Sequence, residues 1–277
     1  MSAGRLFFFC LGLLASVIGL VGNPAWAQAP APGEVLTVPT RPGVTVPVYV
    51  RWRPDAVATL VLYSGGGGGY GPIGEDGWPT GGNFLIRTGK HWASYPFNLA
   101  MVGRPSDGID LALGGYRIGD QHGADNRALF QVLKQKSPAP LWLVGTSMGT
   151  ISAAAAAIRD EDGLVAGVVL TSSIVSYKIP GALPKQALDK IRVPVLVFHH
   201  RQDACGSCRP DEVRKLAAQL IKAPVVRTLF VDGGGGISSG PCEPWHYHGY
   251  VGMEDEAVDK IAAWILQPTA DPVPPAP

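Results

Sequence analysis

The chain has 277 residues, a formal net charge of +1 and 16% charged residues, with 36 glycines and 25 prolines. That length suits one large domain with a well-buried core, and low charge with abundant glycine points to a compact, loop-rich α/β protein. No basic block stands out, which argues against nucleic acid or an anionic membrane surface as a partner.

Arg5 is the only charged side chain ahead of an apolar run from Leu6 to Val21, and Ala25-Trp26-Ala27 supplies a small-x-small cleavage pattern. Residues 1–27 therefore read as an export signal. The run is short for a membrane span and ends in the helix-unfriendly Gly22-Asn23-Pro24, so no span is expected once the signal is removed. The mature chain is expected in the periplasm or outside the cell, where disulfides persist. Residues 28–267 read as one domain without internal repeats, and residues 268–277 as a disordered, proline-rich tail.

Val35–Val38 and Val44–Val50 are β-rich and separated by Pro39-Thr40-Arg41-Pro42-Gly43, which suits a hairpin at a sheet edge. Ala58–Tyr63 is a continuous apolar run, the pattern of a parallel strand buried on both faces. It opens into Ser64 and the glycine run 65–69. A phosphate-binding loop would want a lysine and Ser/Thr after the glycines, and none follows. A glycine run after a buried strand lets backbone N–H groups converge on one point, which suits an oxyanion hole. Gly66 and Gly67 are the candidate donors, with the choice between them open.

Next come a helix over Asn83–Ser94 and a strand over Asn98–Val102. The strand opens into a loop whose Ser106 and Asp107, with Arg117, are candidates for a pocket wall. Asp125–Lys136 reads as a helix with His122 ahead of it.

The chain then reaches its most informative stretch, Leu141-Trp142-Leu143-Val144 followed by Gly145-Thr146-Ser147-Met148-Gly149 and an alanine-rich helix. A Gly-x-Ser-x-Gly between a buried strand and a helix is the pattern of a nucleophile elbow, a sharp turn that lifts one serine hydroxyl above the sheet. Ser147 is the candidate nucleophile, and the N–H of Met148 the first oxyanion donor.

Val165–Leu170 and Val193–Phe198 read as further buried strands, separated by a stretch too short for a large lid. The second delivers His199-His200-Arg201-Gln202-Asp203, and Asp203 sits where an elbow's acid belongs. Asp211 is a rival, though it suits the first turn of a helix running to Leu220. His199 and His200 are a poor chelate, because adjacent strand residues face opposite ways. After a last strand over Val225–Val231, His246 and His248 compete for the role of base, and Gly249 favours His248 by permitting a tight turn. A final helix spans Glu254–Leu266. Strand and helix alternate throughout, so the expected architecture is a mostly parallel sheet with helices on both faces.

Three cysteines remain beyond the signal: Cys205, Cys208 and Cys242. Three pairings are open. A Cys205–Cys242 bridge would tie the acid loop to the base loop. Cys205-Gly206-Ser207-Cys208 has the spacing of a redox pair, and Cys205, Cys208, Cys242 and His246 could instead hold zinc.

On the glycine run 65–69, the Gly145–Gly149 pentapeptide, Asp203 and His248, the chain resembles the α/β-hydrolase superfamily over nearly all its mature length. It is particularly similar to exported bacterial hydrolases of undefined substrate, in which an acid-loop cysteine and a His-Gly-aromatic loop recur. Here these are Cys205 with Cys242, and His248-Gly249-Tyr250. The resemblance implies an α/β-hydrolase fold with an eight-stranded, mostly parallel sheet, and the short stretch with Tyr177, Pro180, Gly181 and Pro184 leaves room for only a minimal lid. The resemblance also implies serine-hydrolase chemistry but no substrate; a carboxylic ester of a small acyl substrate is the default because no insertion suggests a lipase lid or a peptide-gating domain, and no metal or other cofactor is expected. Two rival readings are a catalytically silent binding protein on the same scaffold and a thiol-disulfide protein working through Cys205 and Cys208.

Overall fold

The structure, a computed structural model, describes Met1 and residues 30–271. Residues 2–27 of the expected export signal and residues 272–277 of the proline-rich tail lie outside the described residues. Ahead of those tail residues, Asp271 N–H reaches Val226 O at 3.2 Å and the Asp271 carboxylate accepts from Thr228 N–H, so this part of the tail lies along the last strand. No helix among the described residues is long and apolar enough to cross a membrane.

Strands β1 (Glu34–Arg41) and β2 (Val44–Arg51) form the expected edge hairpin. Strand β3 (Ala58–Tyr63) is buried at every position. The segment expected as one helix over Asn83–Ser94 is two short ones, α1 (Phe84–Arg87) and α2 (Gly89–Trp92), with Thr88 at the junction. Thr88 Oγ1 donates to Phe84 O at 2.7 Å, a side-chain bond back onto the helix that favours ending it there. Strand β4 (Phe97–Val102) follows, then α3 (Gly114–Arg117) and α4 (Asp120–Lys136). Helix α4 starts before the expected Asp125, so His122 lies in its first turns rather than ahead of it.

Strand β5 (Leu141–Thr146), α5 (Met148–Ile158), β6 (Val165–Thr171) and β7 (Val195–His200) complete the centre. The expected helix to Leu220 is only a turn of α-helix, α6 (Pro210–Val213), continued as 3₁₀ over Arg214–Gln219. Strand β8 (Val226–Val231) and α7 (Glu254–Leu266) close the fold.

All eight strands form one sheet in the order β1-β2-β4-β3-β5-β6-β7-β8. Only β2 runs against its neighbours; every pairing from β4 to β8 is parallel. Parallel strands need crossovers, and the helices serve as them. Leu129, Leu133, Ile151 and Val213 from α4, α5 and α6 pack on one face, and Phe84, Trp92, Val258 and Ile261 from α1, α2 and α7 on the other. Burial on both faces is why β3 through β7 read as unbroken apolar runs. Each fully buried aliphatic side chain contributes roughly 1.5–3 kcal/mol to that core. The alanines of α5 let its backbone sit close to β5 and β6, which anchors the turn between β5 and α5. Between β6 and β7 the chain adds only two 3₁₀ turns, Leu183–Lys185 and Leu188–Lys190, so there is no lid domain among the described residues.

Candidate active site

Ser147 stands between β5 and α5 with φ 52° and ψ −126°, a conformation that side chains rarely adopt. Its neighbours explain how the turn is forced. A Cβ on Gly149 would lie 1.9 Å from Tyr63 O, and one on Gly145 would lie 2.5 Å from Gly149 O. Only glycine allows β3, β5 and α5 to close this tightly. Ser147 N–H donates to Thr171 O at 3.0 Å, and its carbonyl accepts from Thr150 Oγ1 at 2.7 Å, so the backbone is pinned on both sides. Met148 opens α5, where the first N–H groups have no helical acceptor.

The histidine and the acid meet at the carboxyl end of the sheet. Asp203, just past β7, is buried; its Oδ1 accepts from Cys205 N–H at 2.9 Å and its Oδ2 faces His248 Nδ1 at 2.9 Å. A carboxylate oxygen accepts, so the proton sits on Nδ1 and the lone pair on Nε2. That Nε2 is buried and unpartnered among the described residues. His248 lines a cavity of about 380 Å³ together with Ser147.

His246 does not line this cavity; its ring stands edge-on to Tyr247 instead. Asp211 is paired with Arg209 at 2.9 Å on exposed α6, away from the cavity. The turn expected at Gly249 is made differently. Tyr250 takes the left-handed conformation, φ 60°, while Gly249 is needed because a Cβ there would lie 2.0 Å from Pro244 O. Tyr250 Oη then donates to Phe198 O at 3.0 Å, and Ser172 Oγ donates to His248 O at 2.7 Å. Both bonds fasten the histidine loop to the ends of β6 and β7.

The glycine loop completes the rim. Gly68 N–H donates to Gly65 O at 3.0 Å, closing a turn in which Gly66 has φ +53°. A Cβ on Gly65 would lie 2.9 Å from Ser147 Cβ and 3.1 Å from Thr146 O, so the bare loop backbone passes directly against the serine. Gly66 lines the Ser147 cavity. Gly67 does not: it sits against the Arg104 guanidinium and lines an adjoining space of about 520 Å³ that meets the first at Gly65 and Asn83. Phe84, Met148, Ile174 and Ile179 give the Ser147 cavity an apolar wall, and the last two come from the β6–β7 connection.

No protein-family model matches the chain, and no curated protein matches it either. Solved structures do. An esterase from Pyrococcus furiosus superposes with a TM-score of 0.61 at 13% identity, covering 90% of this chain and 95% of its own. A dienelactone hydrolase from Anabaena variabilis gives 0.58 at 12% identity, over 84% of this chain and 96% of its own. A lidless serine hydrolase from Xanthomonas campestris gives 0.53 at 15% identity, over 90% and 98%. The chain has the α/β-hydrolase fold.

Within that fold the cysteines and the remaining candidates find their places. Cys205 and Cys242 form a disulfide across a sequence separation of 37, joining the acid loop to the segment that leads into His248. Cys208 is free and fully buried, and burial pushes its thiol well above the usual range, the opposite of a reactive redox cysteine. Ligand atoms of Cys205, Cys208 and His248 lie within 4.8 Å of one another, but the Cys205 sulfur is already taken by the bridge. Replacing Cys205 and Cys242 together by serine is expected to lower stability by ~2–4 kcal/mol in urea unfolding. An unchanged midpoint would show that the bridge does not stabilise the fold.

Ser106 and Asp107 are not cavity residues: Ser106 Oγ accepts from Thr45 N–H at 2.9 Å, and Asp107 pairs with Arg41 at 2.9 Å. His122 is buried against Ser152 Oγ at 3.0 Å, and burial pushes it down to about 3, so it is neutral. His199 and His200 have separate partners. His200 stacks on Tyr247, while His199 Nε2 lies 3.4 Å from Asp203 Oδ2. Burial pushes His199 down to about 4. A second, neutral imidazole on the acid was not legible in the sequence, where alternation says only that His199 and His200 diverge.

Proposed function

We propose that the protein is a serine hydrolase that cleaves a carboxylic ester, or a related acyl bond, of a small substrate through Ser147, His248 and Asp203. The observation that carries this reading is the Asp203–His248 pair at 2.9 Å: His248, its Nε2 unpartnered among the described residues, lines one cavity with Ser147. His248 Nε2 takes the Ser147 proton as Oγ bonds to the acyl carbon, and the carbonyl electrons move onto oxygen. The N–H groups of Met148 and Gly66 hold that oxyanion, each donor contributing roughly 2.7–4 kcal/mol in comparable sites. Collapse expels the alcohol, which leaves with the proton from His248. A water then repeats the sequence on the acyl-enzyme, releasing the acid and restoring Ser147.

Gly66 is preferred to Gly67 as second donor because only Gly66 lines the Ser147 cavity. The apolar wall and the absence of a lid domain among the described residues favour a short acyl group in an accessible site. The similar structures, an esterase and a lidless serine hydrolase among them, point the same way. The export signal read in the sequence puts this activity outside the cytoplasm. A silent binding protein would not need a buried acid–histidine pair beside a half-buried serine on the same cavity, and a thiol-disulfide protein would not bury Cys208.

The test is a fluorophosphonate probe on the full chain, followed by peptide mapping. The adduct is expected on Ser147. A folded wild-type protein that takes up no probe and cleaves no short-chain 4-nitrophenyl ester would defeat the hydrolase reading.

A further inference from the structure

We propose that Arg117 is a positioning residue that holds the glycine loop in the shape an oxyanion requires, an inference that rests on the serine-hydrolase reading above. Arg117 is 2% exposed, among the largest side chains fully enclosed by the fold. Its guanidinium reaches four acceptors on three segments. Nε donates to Leu111 O at 2.6 Å and Nη1 to Ser152 Oγ at 2.8 Å, while Nη2 donates to Gly66 O at 3.0 Å and faces Ser64 O at 3.5 Å. All are neutral oxygens, none a carboxylate.

A buried cation with no carboxylate in contact costs several kcal/mol, and burial pushes this guanidinium down to about 9, with the charge of Asp110 offsetting part of that effect. A methionine would fill the same space without that cost. The fold therefore carries the charge for what its fixed fork of donors can hold, a job a lysine's single ammonium does not match.

What it holds is the backbone beside the nucleophile. In a planar peptide unit the C=O and the following N–H point in opposite directions. The carbonyl of Gly65 is taken by Gly68 N–H, and those of Gly66 and Ser64 face Arg117. Three consecutive peptide planes are thereby set, and with them the directions of the N–H groups of Gly65, Gly66 and Gly67. Glycines have no side chain to impose that shape: the in-loop bond from Gly68 N–H sets the plane that carries the Gly66 N–H, and Arg117 fixes the planes on either side of it from outside the loop. Ser152 lies on α5, the helix that Ser147 opens into, so the same guanidinium references the loop to the nucleophile's own helix. An oxyanion donor displaced by even a fraction of an ångström loses most of its worth, and this clamp limits such displacement.

The experiment compares the full-length wild type with Arg117→Met and Arg117→Lys on 4-nitrophenyl acetate, with active sites counted by fluorophosphonate titration and folding followed by thermal unfolding. In the folded variants kcat per titrated site is expected to fall roughly 10²-fold with KM within about threefold, because the loop acts on the transition state. Inhibition by phenylboronic acid, which mimics the tetrahedral state, should weaken in proportion. Arg117→Ala should regain part of its kcat when millimolar guanidinium is supplied. Wild-type kcat in the folded variants, an activity loss accounted for by fewer titratable sites, or unfolding of both Met and Lys variants would each overturn the proposal. With the wild type active, those outcomes leave the serine-hydrolase reading standing; an inert wild type removes that reading and this proposal together.

Discussion

Ser147→Ala is expected to abolish turnover, lowering kcat on a 4-nitrophenyl ester by roughly 10⁴–10⁶-fold while leaving the unfolding midpoint close to that of the wild type. The size follows from chemistry: without Oγ there is no acyl-enzyme, and what remains is water attack assisted by the oxyanion donors. The unchanged stability follows from the turn. The bonds that pin residue 147, to Thr171 O and from Thr150 Oγ1, use its backbone and survive the change. Alanine also meets the same conformational strain as serine at φ 52°, so neither state gains an advantage. Steady-state rates at matched protein concentration, with fluorophosphonate labelling to show the loss of the nucleophile, provide the measurement. Residual activity within tenfold of wild type would mean that another group performs the attack.

The parts of the fold that were legible in the sequence are those set by local physics. Ala58–Tyr63 and Leu141–Val144 read as buried parallel strands because a sheet covered on both faces tolerates no polar alternation, and both are strands as expected. The elbow was legible because its two glycines answer a steric demand that no other residue meets. Less legible were the elements whose ends depend on distant partners. The junction at Thr88 and the early start of α4 are settled by side-chain bonds and packing that a pattern of apolar spacing does not contain. Arg117 is the sharpest case. In sequence it is one basic residue in a glycine-rich, largely apolar stretch, a candidate for a pocket wall, and nothing local shows that its partners are the carbonyls of residues 64 and 66. Gly66 and Gly67 were inseparable for a similar reason, since their roles depend on which cavity each one faces.

Asp203 invites a prediction almost as large as that for Ser147. Asp203→Asn should lower kcat by roughly 10⁴-fold although the side chain keeps its shape. In the wild type Oδ1 accepts from Cys205 N–H and Oδ2 from His248 Nδ1–H, each at 2.9 Å. An asparagine has one acceptor for these two donors. Its oxygen is held by Cys205 N–H, a backbone group that can only donate, so its NH₂ must turn to His248. The imidazole is the partner that can change: Nδ1 becomes the acceptor, the proton moves to Nε2, and no lone pair is left to receive the Ser147 proton. His199, 3.4 Å from Oδ2, cannot restore the tautomer, because it carries no carboxylate and burial keeps it neutral. The loss should therefore appear in kcat and in the labelling rate alike, with KM little changed. A loss smaller than tenfold would show that Asp203 does not set the histidine's tautomer, and the order Ser147, Asp203, His248 would then need a different acid.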